Sequence, residues 1–425
     1  MKNFIILFIL SLVFVGCKVP QKKQLNKESG SLVKPRSKDS RPVISSINGK
    51  YIFKDSTTIQ VFMMVEVGNI TEQTTFKDLD NIFKIQWSIQ TEYGTKEKLK
   101  SGRLEFSDQN FSRKGNVFYL SFEVPNQKTE ESGVLILDFI DQSLAMKFTN
   151  DLPIDFRAKK VDTRFNIYSV DNLSMPSFQS YVSLGKEFMV KSILPSDEKL
   201  FLKRYKNEVL PALSPMSSSK RDALDGLEPV EVIQIKSGQI LKLDLPGIYV
   251  LTQEPDFHED GYGFLVVDDR FPKMTYPDEL RKSLVYMSTP KEIDALMSTE
   301  NPKEALDLYF LNVSKGNQTV AKQIIKSYYK KVGEANKLFS TYKEGWKSDK
   351  GMVYIIMGPP SRVQRNRQRE VWLYTQNQNN SEIIFTFYRK SNVFSDQNYE
   401  LVRYPEYSTF WYPYVEAWRT GNAVE

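Results

Sequence analysis

Apolar residues recur at every second position over several short stretches of the first third of the chain. Val61, Met63, Val65 and Val67 alternate with Phe62, Met64 and Glu66. Phe83, Ile85, Trp87 and Ile89 alternate with Lys84, Gln86, Ser88 and Gln90, and Phe118, Leu120, Phe122 and Val124 with Tyr119, Ser121 and Glu123. Leu135, Leu137 and Phe139 complete the set. A period of two puts one side of each strand in a core and the other in water. With Asn, Gly, Asp and Lys turns between the runs, the pattern predicts an antiparallel β-sandwich over residues 42–158. A second block, residues 159–271, has strand-like runs at Phe165–Val170, Glu187–Ile193, Val230–Ile235, Ile240–Leu245, Ile248–Thr252 and Phe264–Val267. Gly238 and Pro246-Gly247 mark its turns and Lys220–Glu228 reads as a polar loop, so a second, smaller sandwich is expected.

Beyond Pro272 the period becomes helical. Thr289-Pro290-Lys291-Glu292 carries a cap hydroxyl, proline at the first helical position and a carboxylate at the third, and Asn301-Pro302-Lys303-Glu304 repeats that grammar. Ile293, Leu296 and Met297 share one face, as do Leu306, Tyr309, Phe310 and Val313. Val320, Ile324, Tyr328 and Val332, then Ala335, Leu338, Phe339 and Tyr342, predict a third and a fourth helix. Strands are expected at Val353–Met357, Val371–Tyr374, Ile383–Tyr388 and Tyr399–Arg403, with Gln376–Asn380 as a hairpin connector. The fold class is therefore multidomain: two antiparallel β-sandwich modules followed by an α+β domain at 272–403, helices first and antiparallel sheet second.

The joint between those helices and strands reads GWKSDKGMVYIIMGPP, from Gly345 to Pro360. Gly345 suits a helix stop, Met352–Met357 reads as a strand, and Gly358-Pro359-Pro360 closes it. This segment resembles the signature of the GWxTD domain, a family of bacterial envelope proteins mostly from Bacteroidetes, with Ser348 standing where the family has threonine. The downstream GPP and Glu370-Val371-Trp372-Leu373-Tyr374 are also similar to the family, and the resemblance covers roughly Pro272 to Val402. It implies a place in the cell envelope and brings no catalytic chemistry. Two readings stand for Gly345, Trp346, Ser348 and Asp349: a helix stop, a buried ring and a capping turn, or a groove with Trp346 and Asp349 in its wall.

The N-terminus narrows the compartment. Lys2 precedes the apolar run Phe4–Val15, which falls short of the about 20 residues a membrane-spanning helix needs and reads as a signal peptide over 1–16. Phe14-Val15-Gly16-Cys17 resembles a lipobox, and Cys17 is the only cysteine, so no internal disulfide can form and lipidation at Cys17 is expected. Residues 17–41 are polar and basic, with Lys18, Lys22 and Lys23 just after the cysteine, and read as a disordered tether. The expected location is the outer membrane, lipid-anchored and facing the periplasm.

Candidate chemistry is sparse. The net charge is only +6, and a lipidated protein outside the cytoplasm has no call on nucleic acid. His258 is the only histidine and cannot build a zinc site alone, and there is no phosphate-binding glycine loop or dinucleotide fingerprint, so neither metal nor cofactor is expected. Arg362, Arg365, Arg367 and Arg369 form a basic stretch that is either a solvated hairpin loop or a contact for phosphate, lipid headgroups or an acidic partner. The tail, residues 404–425, concentrates Phe410, Trp411, Tyr412 and Trp418 with further tyrosines. It either folds back over the domain or docks a partner.

The expected function is that of a non-catalytic scaffold or accessory subunit of a periplasmic envelope complex, with outer-membrane protein assembly or secretion as the first machinery to test. Other envelope proteins are its expected partners; a small-molecule ligand is left open. The alternatives are an envelope-polymer hydrolase with a carboxylate site and a ligand-binding lipoprotein using a groove near Trp346. The topology has a direct check: protease added to intact cells should leave the protein whole, and ready digestion would refute a periplasm-facing anchor.

Overall fold

The alternating runs become strands because each has one apolar face to bury. The computed structural model describes residues 41–109, 111–157, 160–219, 228–256, 261–375 and 382–423. The signal segment, Cys17, the tether to Ser40, His258 and the connector at 376–380 lie outside the described residues.

The first module contains β1 (Val43–Phe53), β2 (Thr58–Gly68), β3 (Phe83–Gln90), β4 (Lys100–Leu104), β5 (Phe111–Lys114), β6 (Val117–Pro125), β7 (Ser132–Asp141) and β8 (Met146–Asp155), with a short helix α1 (Phe76–Ile82) before β3. Two antiparallel sheets, ordered β1-β2-β6-β5 and β4-β3-β7-β8, face each other. Val61, Met63 and Val65 from one and Ile85, Leu137 and Phe139 from the other meet in one core.

The second module follows a one-turn helix α2 (Val161–Arg164) and holds β9 (Asn166–Ser169), β10 (Asn172–Pro176), β11 (Tyr181–Ser183), β12 (Glu187–Lys191), β13 (Lys199–Tyr205), β14 (Glu231–Lys236), β15 (Ile240–Lys242), β16 (Gly247–Thr252) and β17 (Tyr262–Val267). Its sheets are ordered β10-β9-β12-β15 and β11-β17-β16-β13-β14, and β11 runs parallel to β17. Strand β16, GIYVLT, does not alternate because it is buried at every residue. Tyr249 and Leu251 face the sandwich core, while Ile248 and Val250 face Tyr342 and Phe394 of the third module.

That third module packs α3 (Pro277–Ser283), α4 (Pro290–Ser298), α5 (Pro302–Val313), α6 (Gln318–Phe339) and α7 (Asp349–Met357) against the antiparallel sheet β18 (Arg362–Arg365), β19 (Arg369–Thr375), β20 (Glu382–Arg389) and β21 (Tyr399–Leu401). It ends in α8 (Ser408–Arg419). The capping box at Thr289 and Glu292 forms as read. Two expectations are corrected. The third and fourth helices are one, α6: Gly333 is tolerated inside a helix at a cost of about 1 kcal/mol relative to alanine. The segment expected as a strand at Val353–Met357 is the helix α7. An apolar run buried on every side has no polar face to reveal its period, and every residue from Gly351 to Met357 is buried.

The modules are joined by polar as well as apolar contacts. Ile52 and Phe62 of the first module pack with Tyr168 and Met175 of the second. Beside them the Lys50 ammonium donates to the Ser177 carbonyl at 2.6 Å and to Asn166 Oδ1 at 3.2 Å. Burial lowers the Lys50 pKa from 10.5 to about 8, against the opposing pull of Asp162. Between those two pH values the unfolded chain holds more protons here than the folded chain, so this residue adds stability as pH rises and is without slope below about 8. The melting temperature of the wild type should therefore gain on that of Lys50→Met from pH 8 to 10 and run parallel to it below pH 7. Parallel curves over the whole range would show that Lys50 titrates normally.

Candidate functional site

The signature is built on a close approach of backbones. A Cβ on Gly345 would sit 2.0 Å from the Ala335 carbonyl oxygen of α6, and one on Gly351 would sit 1.9 Å from the carbonyl oxygen of Gly345. Only glycine at both positions lets α6, the turn and α7 stack this tightly. Ser348 accepts from the Gly351 N–H at 3.0 Å and so caps α7, while its own hydroxyl donates to the Gly345 carbonyl at 2.6 Å. Here serine does what any hydroxyl at that position can do.

Trp346 is 3% exposed. Its backbone N–H donates to Asn336 Oδ1 at 3.0 Å, its backbone carbonyl accepts from the Tyr286 hydroxyl at 2.8 Å, and the Tyr286 ring meets the indole edge-on. Asn336 is itself fully buried and donates to the Pro272 carbonyl. Asp349, buried in the first turn of α7, accepts from the Leu401 N–H at 2.7 Å and from Arg403 Nη2 at 2.5 Å. Arg403 also reaches the Leu213 and Ser214 carbonyls of the second module. One carboxylate therefore ties a helix start to the end of β21 and to a neighbouring module. At the other end of α7, Gly358 adopts φ +78° and its N–H closes on the Tyr354 carbonyl, with Pro359 and Pro360 just beyond. GPP stops a helix, where the sequence suggested the end of a strand.

Next to this joint lies a line of charges that the sequence did not reveal. Lys350 Nζ pairs with Glu370 Oε2 at 2.9 Å and sits 3.3 Å from the centre of the Tyr399 ring. Glu370 also accepts from Arg365 Nε at 2.9 Å and from the Trp372 indole at 3.1 Å. Arg365 Nη1 continues to Asp151 on β8 at 2.9 Å, and Asp151 accepts from Tyr93 at 2.7 Å. Burial brings the Lys350 pKa down to about 8 against the pull of Glu370. Burial pushes Glu370 up, but Lys350 and Arg365 outweigh it and hold the carboxyl below its usual value. The Tyr399 hydroxyl is raised to about 12, by burial first and by Glu370 second. Two cations and two carboxylates balance, and the chain of contacts bolts the first module to the third.

Ser348, Lys350 and Tyr399 form one wall of a cleft of about 1010 Å³ between the three modules. Its other walls come from β5 and β6 of the first module and from residues 169–181 of the second. Trp346 does not line it: the ring is in the core, as the first of the two readings had it, and the cleft opens beside Ser348 and Lys350. Among the remaining candidates, Arg365 is taken up by internal carboxylates, and Arg362 lies 3.5 Å from Glu382. Arg367 and Arg369 are exposed at a hairpin turn held by Asn366. The aromatic tail becomes α8, with Trp411 and Trp418 buried, Phe410 packed against Phe385, and Tyr412 60% exposed. The Trp418 indole donates to the Ile356 carbonyl, and Arg419 grips Glu292 in a two-pronged pair at 2.7 and 3.0 Å. Trp411 and Trp418 are thus core residues and present no ring to a partner.

Residues 247–420 match the family model of the GWxTD domain, so this part of the chain is a GWxTD domain. The match starts at β16 and runs through α8, which places the aromatic tail inside the domain and extends the region beyond the resemblance noted from residues alone. No curated protein matches the chain.

Gly345→Ala and Gly351→Ala should each lower stability by at least about 3 kcal/mol, at the severe end of overpacking, because the obstacle is backbone. Trp346→Ala should cost about 3–5 kcal/mol, whereas Arg367→Ala should stay within about 0.5 kcal/mol of wild type. Denaturant unfolding measures all four. Wild-type stability in either glycine variant would overturn the close-approach account.

Proposed function

We propose that this GWxTD-domain chain is a non-catalytic scaffold or accessory subunit of a periplasmic envelope complex, held at the outer membrane by a lipid on Cys17. The observation that carries this reading is the fate of the signature side chains. Ser348 and Asp349 spend their side-chain hydrogen bonds inside the protein, and Trp346 is buried with its backbone N–H on Asn336 and its backbone carbonyl on Tyr286. None is left aimed at a substrate, and the motif works as a joint. Its neighbours Lys350, Glu370, Arg365 and Asp151 extend that joint to the first module. A body braced in this way suits the task of holding partner surfaces at fixed spacing.

The hydrolase alternative calls for a pair of carboxylates facing a substrate cleft. Among the described residues the large cleft is lined by a single carboxylate, Asp171, so it gives that reading no support. Outer-membrane protein assembly or secretion is the process we would test first. Affinity purification of the full-length protein from crosslinked outer membranes should recover a reproducible set of envelope proteins. Recovery of the chain alone would contradict the scaffold reading.

A further inference from the structure

The three-module cleft combines two features that the scaffold reading leaves unused. The first is charge. Among the described residues, Arg113, Lys114, Lys337, Lys343 and Lys350 line it against the single carboxylate of Asp171. Lys350 contributes little to a ligand, because Glu370 already pairs with it. Arg113 is held by the carbonyls of Thr71, Thr74 and Gly115, which carry no opposing charge. Lys114 and Lys337 are exposed. An excess of positive charge on a concave surface between low-dielectric walls concentrates field lines toward an anion.

The second feature is backbone. Strands β5, β10, β11 and β21 are each the last strand of their sheet, and residues of all four line the cleft. In β21 the Leu401 N–H is already donated to Asp349, so the sheet ends left at this space are those of β5, β10 and β11. An edge strand carries a row of N–H and C=O groups with no ladder partner in its sheet, and an added extended chain satisfies them. A saccharide or a headgroup has no backbone to match that row. The cleft also carries apolar side chains, including Phe178 and the 53%-exposed Leu338. Alternate side chains of an added strand point to opposite sides, which suits acidic residues set between apolar ones.

We infer that the cleft between the three modules takes an extended acidic polypeptide segment of a partner and adds it as a strand to one of these open sheet edges. The inference rests on the scaffold reading and supplies the chemistry of the partner. The lysines set the preference for acidic sequence, and the edge backbone sets the extended conformation. Surface charge of this kind acts through encounter and register, so affinity should fall steeply with salt.

The test uses the full-length protein and a labelled peptide of about ten residues alternating Glu and Val, a length that spans one added strand. Fluorescence anisotropy should show salt-sensitive binding. The double variant Lys114→Glu/Lys337→Glu, with melting temperature as a check on folding, should bind about tenfold more weakly or worse. The same peptide N-methylated at alternate residues keeps its charge but loses the backbone donors, and it should also bind about tenfold more weakly. Absence of binding, binding indifferent to both changes, or equal displacement by inorganic phosphate, an acidic trisaccharide or vesicles of anionic lipid would overturn the inference. Failure here with partners still recovered from crosslinked membranes removes only this inference. Loss of both removes the scaffold reading as well.

Discussion

The third module depends on how closely three pieces of backbone can approach one another. Helix α6, the turn at Gly345 and the first turn of α7 are stacked at distances that leave no room for a single carbon between them. The tight stack lets Trp346 drop into the core, where Asn336 and Tyr286 satisfy its backbone. It also places Asp349 where it reaches the end of β21 and Arg403 together. Buried carboxylates are costly unless paired and hydrogen-bonded. Asp349 is both, so the burial that makes it expensive to disturb also fixes the register of helix against sheet. The signature is a packing device whose residue types follow from that geometry.

The joint's position explains why the modules stand as they do. Arg403 runs from Asp349 to the 213–214 segment of the second module, and the line from Lys350 through Glu370 and Arg365 ends on Asp151 in the first. The apolar contacts at Tyr342 and Phe394 bury the outer face of β16. Interfaces between domains of one chain are usually polar enough to allow movement. Here paired charges and a doubly buried strand oppose it, and the cleft is what remains open between the braced modules. Its basic character follows partly from this arrangement. The carboxylates of the neighbourhood, Glu370 and Asp151, are turned inward to the braces and leave lysines at the surface of the cleft.

Much of the fold was legible in the sequence because it is written in local periods. Most strands of the first module show their alternation, since one face is wet; β2 is an exception, because Phe62 on its other face is buried against the second module. The capping box at Thr289 and Glu292 marks a helix start without any tertiary knowledge. Legibility failed where burial is complete. Met352–Met357 reads as a strand because no polar residue breaks the run, and the clues that it is a helix were short-range ones: Ser348 and Asp349 in N-terminal positions, and Gly358 with two prolines at the far end. Strand β16 loses its alternation for the same reason. The cleft and its braces were out of reach. Lys350, Glu370, Arg365 and Asp151 come from different elements, and Arg365 looked like one arginine among four in a solvated loop. The aromatic density of the tail was informative, but sequence alone did not decide between core and docking face, which rests on where Ile356 and Phe385 stand.

The central claim is that the tight stack of α6, the turn and α7 sets the Asp349–Arg403 pair where it locks the helix against the sheet. A double-mutant cycle on the pair, Asp349→Ala, Arg403→Ala and both, read by equilibrium unfolding, tests it most directly. Each single change should cost about 3–5 kcal/mol, as expected when a buried pair loses one partner, and the double change should cost far less than the sum. Single changes that leave stability near wild type, or costs that simply add, would contradict the account.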